Sequence, residues 1–218
     1  MKISKGALAA IIIAAVIIID QAIKIWVKTH FYLGEEYTVT SWCRLLFIEN
    51  NGMAFGMELG SKLFLTVFRI VLVVALSWYI WKIRHAARAA CGYIVCLSLI
   101  VAGATGNIID CVFYGEIFNN PLPPALAQIF PPDGGYAPWF HGKVVDMFYF
   151  PLFSFTWPDW MPWVGGEVFE FFKPIFNFAD AAISVGILAL TFFYHKYIAT
   201  PEALSQPEPQ PSDAVHEE

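Results

Sequence analysis

"KPIFNFADAAISVGILALTFFYHKYI", residues 173–198, reads as one membrane-crossing helix that carries a carboxylate, Asp180, inside its apolar run. An aspartate within such a helix costs about 2.5–3.5 kcal/mol on insertion scales. A charge held there against that cost needs a partner or a task. The rest of the chain has to supply one.

Of the 218 residues, 58% are hydrophobic and 14% are charged, and the mean hydropathy is +0.58. Soluble domains carry nearer a quarter charged residues, so this composition points to the bilayer. Four runs reach the roughly 17–25 residues that a helical span needs. They fall at 6–27, 63–83, 89–109 and 174–198. The fold expected is an all-α membrane protein with four transmembrane helices. Lys2 and Lys5 precede the first run, Lys82, Arg84 and Arg88 fill the link between the second and third, and Lys196 lies near the end of the fourth. Lysine and arginine collect on the cytoplasmic side, which puts both termini inside and segments 28–62 and 111–173 outside. A basic start before an apolar run also describes a secretory signal. Here the run continues past Asp20 and Lys24 to Val27 without a small-x-small cleavage site, and reads as a retained anchor.

Segment 31–60 mixes β-branched and aromatic residues and contains Asn51-Gly52, which predicts short strands and a hairpin-like turn outside the membrane. The outer loop 111–173 includes "FTWPDWMPWVGG" (155–166), where Pro158 and Pro162 interrupt three tryptophans. That stretch suits the headgroup layer better than a fifth span. Residues 200–218 are rich in Pro and Glu and are expected to be disordered in the cytoplasm. Cys91 and Cys96 lie in the third run, Cys43 and Cys111 on the outer side, and no His/Cys grouping has zinc spacing. HExxH and glycine-rich nucleotide loops are missing too, so no metal, cofactor or nucleic-acid partner is expected.

The polar residues within the runs share one depth. Asp20 and Lys24 occupy the outer half of the first run, four apart on one helix face. Asn107 and Asp110 close the third run from outside, and Asn177 and Asp180 open the fourth. Asp146, in "GKVVDMFYF" (142–150), precedes the fourth within the outer loop. The runs alternate in direction, yet these groups all reach the outer boundary. Asp20–Lys24 reads as a structural ion pair, and the asparagines read equally well as interhelical hydrogen-bond glue.

Two carboxylates at close range cannot both ionise comfortably, so one keeps a proton near neutral pH. The charged member can then take a proton from water while the protonated member polarises a carbonyl. Asp146 and Asp180 are the candidate pair, and Asp110 stands as the alternative to Asp146. Two rival readings are a small proton-coupled transporter or channel and a scaffold that uses polar pairs to join helices. A transporter would string carboxylates across the full bilayer, whereas these cluster at one face.

"DQAIK" (20–24), "ENNGMAFGM" (49–57), "GATGNIID" (103–110), "VVDMF" (144–148) and "FNFADAAISVG" (176–186) resemble, in order and placement, the motifs of bacterial lipoprotein signal peptidases. These are the type II signal peptidases, intramembrane aspartyl proteases. The resemblance covers about residues 12–198, apart from much of the long loop. It implies an inner-membrane enzyme that cleaves diacylglyceryl-modified prolipoproteins on the amino side of the lipidated cysteine. It also implies a small periplasmic β-sheet cradle, contact with membrane lipid and inhibition by globomycin. The catalytic dyad then maps to Asp146 and Asp180. Asp20, Lys24, Asn50, Gly52, Asn107, Asp110 and Asn177 match residues that support the site or line the substrate groove. Two positions depart from the family pattern, since Glu49 and Cys111 stand where arginine is usual.

Overall fold

A computed structural model of the chain describes residues 3–51, 62–86 and 89–199. Three long apolar helices dominate it: α1 Lys5–His30, α2 Lys62–Ile83 and α3 Cys91–Ile117. The shortest of them has 22 residues, about 33 Å at 1.5 Å per residue, enough for a hydrocarbon core of about 30 Å. Gly52, Arg88 and the tail from Thr200 lie outside the described residues.

The run expected as one helix over 174–198 is divided. Ile175–Phe176 forms a strand, Asn177 caps a helix at Phe178–Phe193, and a short helix follows at His195–Ala199. The physical reason is a capping box. The Asn177 side chain accepts the Asp180 N–H, and the Asp180 carboxylate accepts the Asn177 N–H, which satisfies two donors that a helix start leaves unpaired. This explains part of what holds Asp180 in an apolar run. Its charge sits in the first helical turn, at the positive end of the helix dipole. By contrast, the third helix runs eight residues past its expected end at Ile109, carrying Asp110 and Tyr114 into the buried interior.

Against the C-terminal ends of α1 and α3 packs a four-stranded antiparallel sheet of β1 Glu36–Thr40, β2 Cys43–Asn50, β3 Val144–Tyr149 and β6 Ile175–Phe176, in the order β1-β2-β3-β6. The strand signal is therefore realised over Glu36–Asn50, with the β1–β2 turn at Ser41–Trp42, whereas the turn signal at Asn51-Gly52 runs beyond the described residues. Side chains on β3 alternate in direction. Val145 and Met147 pack with Phe47, Val27, Phe31, Tyr114 and Phe118, which leaves Asp146 on the other face. A separate two-stranded ribbon, β4 Phe153–Thr156 with β5 Val168–Phe171, occupies the aromatic stretch. The 16-residue helix after Asn177 is α4 and the short one is α5.

Small residues on α3 let it approach α4 and α1 closely. A Cβ on Gly103 would stand 2.3 Å from the Ala179 carbonyl oxygen, and one on Gly106 would stand 2.5 Å from Asp20 Oδ2. Close helix contact through glycine is how membrane helices associate without a hydrophobic driving force. Here it also fits Asp20 against α3 and brings it to the start of α4.

Candidate active site

Lys24 lies fully buried on α1. Its ammonium has three protons and meets three acceptors: Asp20 Oδ2 at 2.9 Å, Asp110 Oδ2 at 2.8 Å and Asn107 Oδ1 at 2.8 Å. Gln21 Nε2 joins the same two carboxylates, donating to Asp20 Oδ2 at 3.1 Å and Asp110 Oδ1 at 2.9 Å. Tyr114 in turn donates its hydroxyl to Gln21 Oε1 at 3.1 Å. Burying ions is costly unless their lone pairs and protons find partners, and in this cluster all three ammonium protons and every carboxylate oxygen have one.

The two carboxylates paired with Lys24 then reach in opposite directions. Asp110 Oδ2 accepts the Val145 N–H at 3.2 Å, and Asp20 Oδ1 accepts the Ala179 N–H at 2.9 Å. Val145 immediately precedes Asp146, and Ala179 immediately precedes Asp180. One lysine thus ties together the two groups that hold the backbone beside each aspartate.

Asparagines bracket the pair itself. Asn177 Nδ2 donates to Asp146 Oδ1 at 2.7 Å, and the Asn177 backbone N–H donates to Asp180 Oδ2 at 3.3 Å. Asn50 Nδ2 donates to Asp146 Oδ2 through a short contact. Asn107 Nδ2 donates to Asp180 Oδ1 at 2.8 Å, and its own oxygen accepts from Asn177 Nδ2 at 3.1 Å. Burial pushes the Asp146 carboxyl up to about 7 and the nearby Asp180 charge adds to this, while hydrogen bonds from Asn177 and Asn50 and the charge of Lys24 oppose it. Of the residues singled out from the sequence, Asp20, Lys24, Asn50, Asn107, Asp110, Asp146, Asn177 and Asp180 all meet in this one network. Among the described residues no group of three His, Cys, Asp or Glu side chains could hold a metal ion.

The family model described as signal peptidase (SPase) II matches residues 12–195. The chain belongs to the signal peptidase II family. The lipoprotein signal peptidase of Porphyromonas gingivalis is 48% identical over 198 residues, covering 91% of this chain and 87% of that protein. Those of Amoebophilus asiaticus and Lactococcus lactis are 36% and 32% identical, over 78% and 85% of this chain and 70% and 92% of theirs. Two solved structures of bacterial membrane enzymes share the fold, with TM-scores of 0.56 and 0.57 at 24% and 23% identity. They align with 84% and 93% of this chain, and with 90% and 93% of their own. The reaction is therefore lipoprotein signal-peptide processing with a prolipoprotein substrate, and the transporter and scaffold readings give way to it. The family and the long apolar helices together fit an inner-membrane protein.

Two residues of the peptidase's network were missed in the sequence. Gln21 is adjacent to Asp20, and its signal was only its place inside "DQAIK". Tyr114 lies four residues beyond Asp110, one helical turn along the same face, but 89–109 as the expected span left it in a loop. Of the two departures from the family pattern, Cys111 is a buried residue and Glu49 is half-buried with an enclosed side chain. Cys111 sits in α3 beside Thr66, and Glu49 pairs with Lys28. Neither Cys43 nor Cys111 is bridged; all four cysteines are free thiols.

Proposed function

We propose that the peptidase is an aspartic endopeptidase in which Asp146 and Asp180 activate water against the bond on the amino side of a diacylglyceryl-modified cysteine. The observation that carries this reading is Asn177, which donates one hydrogen bond to each carboxylate. Asp110, the alternative partner, has its oxygens engaged by Lys24, Gln21 and the Val145 N–H, which suits support better than proton transfer. Asp146 is 1% exposed, and burial favours its neutral form. It holds the shared proton and polarises the scissile carbonyl, while Asp180 receives the proton of the attacking water. A purified preparation is expected to release the signal peptide from a diacylglyceryl prolipoprotein but not from an unlipidated control, and globomycin is expected to block it. Equal cleavage of both substrates would sink the lipid requirement.

The pH dependence follows from Asp146. Its carboxyl sits near 7 in the folded protein, so the shared proton is present below that value and lost above it. The kcat/KM for the lipidated substrate should fall as pH rises through about 7, reporting the pair rather than either group alone. A rate still rising beyond pH 8.5 or so contradicts the assignment.

Four crossings complete the arrangement, with α4 as the last. At 16 residues it spans about 24 Å, so α5 or local thinning of the bilayer makes up the difference. Lys5 donates to the Ala86 carbonyl at 2.7 Å, which supports one basic end shared by the α1 start and the α2–α3 link. That end is cytoplasmic by the lysine and arginine bias, and the aspartate pair then faces the periplasm. The β4–β5 ribbon rests in the outer leaflet. Phe153 stacks on Phe171 and Phe155 packs on Phe169, while Glu170 on the opposite face accepts from the Tyr149 hydroxyl at 3.0 Å. Trp160 and Trp163 at its tip are highly exposed. Brominated lipids are expected to quench wild-type fluorescence more than that of a Trp160→Phe/Trp163→Phe variant. Identical quenching would remove the ribbon from the bilayer.

A further inference from the structure

A second buried charge cluster lies behind the sheet, one helical turn past Lys24. Lys28 and Glu49 form a short ion pair with side chains 1% and 2% exposed. The Lys28 ammonium also stands over three aromatic rings, 5.8 Å from Phe47, 5.2 Å from Phe118 and 5.3 Å from Tyr136. The second oxygen of Glu49 lies 3.4 Å from Lys143 Nζ. Neither Lys28 nor Glu49 is among the residues that bond to the aspartate pair.

Stability alone does not account for this arrangement. Two ions taken out of water are often replaced by apolar side chains with no loss, and the best-attested use of a buried ionic group is to fix register. Register is what this part of the sheet needs. The β2–β3 ladder is broken between Leu45 and Ile48, and beyond the break only Ile48↔Asp146, Glu49↔Val145 and Asn50↔Val144 pair. A slip of one residue in so short a ladder turns every side chain to the wrong face. Glu49 and Asn50 point to opposite faces. Glu49 reaches back to α1 through Lys28 and across to Lys143, which immediately precedes β3. Asn50 reaches forward to Asp146 Oδ2. Tyr136 secures the same end of β3, its hydroxyl accepting the Lys143 N–H at 2.6 Å.

We propose that Lys28 and Glu49 are positioning residues that clamp the open end of the β2–β3 ladder to α1, and so hold Asn50 on Asp146. The proposal rests on the Asp146/Asp180 reading. It predicts an effect on turnover rather than on binding, because the clamp lies on the face of the sheet away from the aspartates.

The test compares full-length wild type, Glu49→Gln, Lys28→Met/Glu49→Met and Asp146→Asn in detergent micelles with a diacylglyceryl prolipoprotein. Glu49→Gln should lower kcat about 10- to 100-fold, the scale of a small misplacement in an active site, with KM unchanged. The double variant leaves no unpaired buried charge, so its thermal midpoint should match wild type while its kcat stays as low as that of Glu49→Gln. That combination separates positioning from mere stabilisation. A double variant with wild-type kcat, or one that loses midpoint and kcat together, overturns the clamp. If Glu49→Gln does not fold, the double variant decides alone. Near-wild-type kcat in Glu49→Gln beside an inactive Asp146→Asn removes the clamp and leaves the aspartate pair standing. Activity in Asp146→Asn removes the pair, and this proposal with it.

Discussion

Asp146→Asn and Asp180→Asn are each expected to lower kcat for prolipoprotein cleavage by about 10³-fold or more, near the upper range for loss of a positioned acid or base. Asparagine keeps the size of the side chain and one acceptor oxygen, so it keeps one of the two hydrogen bonds that each carboxylate accepts. What it removes is the ionisable carboxyl, and with it the capacity to take or give a proton near neutral pH. Signal-peptide release followed by gel shift, with size-exclusion profiles as a control for folding, measures this directly. Wild-type turnover by both variants would remove the pair from the mechanism. Stability offers a second readout with a definite sign. The folded Asp146 carboxyl lies near 7, above the ordinary value of about 3.9. Between those values the native state binds the proton more tightly than the unfolded chain does. The stability this contributes is complete below about pH 4 and is lost as pH rises through about 7. Asp146→Asn should therefore melt above wild type at pH 8, with the gap closing toward pH 5.

Lys24→Met is expected to have the largest effect on the fold. It leaves Asp20 and Asp110, both fully buried, with no counter-charge, and removing one partner of a buried ion pair costs about 3–5 kcal/mol. The damage reaches the site because those carboxylates hold the Val145 and Ala179 amides. A large fall in thermal midpoint with loss of turnover is the expected result. Lys24→Met/Asp110→Asn, which removes one of the stranded charges, should recover part of the midpoint without recovering kcat. A Lys24→Met protein that melts and turns over like wild type would mean that the cluster neither supports the fold nor places the aspartates.

Much of this site was legible because hydropathy and helix periodicity are local properties. Asp20 with Lys24, Asn107 with Asp110 and Asn177 with Asp180 share faces by spacing alone, and the bilayer converts a position along each run into a depth. The strands Glu36–Thr40 and Cys43–Asn50 were legible for a similar reason, from β-branched and aromatic residues in a short stretch. Where α4 begins was not. Hydropathy is blind to a cap, and the Asn177–Asp180 bonds that start the helix at Phe178 override an apolar pattern continuing back to Pro174.

From residue types and spacing alone came a membrane body with acidic and amide groups gathered at one boundary. Which partner each carboxylate takes was decided only by tertiary structure. Asp110 is locked by Lys24 from α1 and by an amide of β3, whereas Asp146 shares Asn177 with Asp180. The same holds for Lys28 and Glu49, 21 residues apart. Partner choice between distant segments depends on how closely helices approach at glycines such as Gly103 and Gly106, and on which face a strand presents. Those are properties of packing in three dimensions, and no window of sequence contains them.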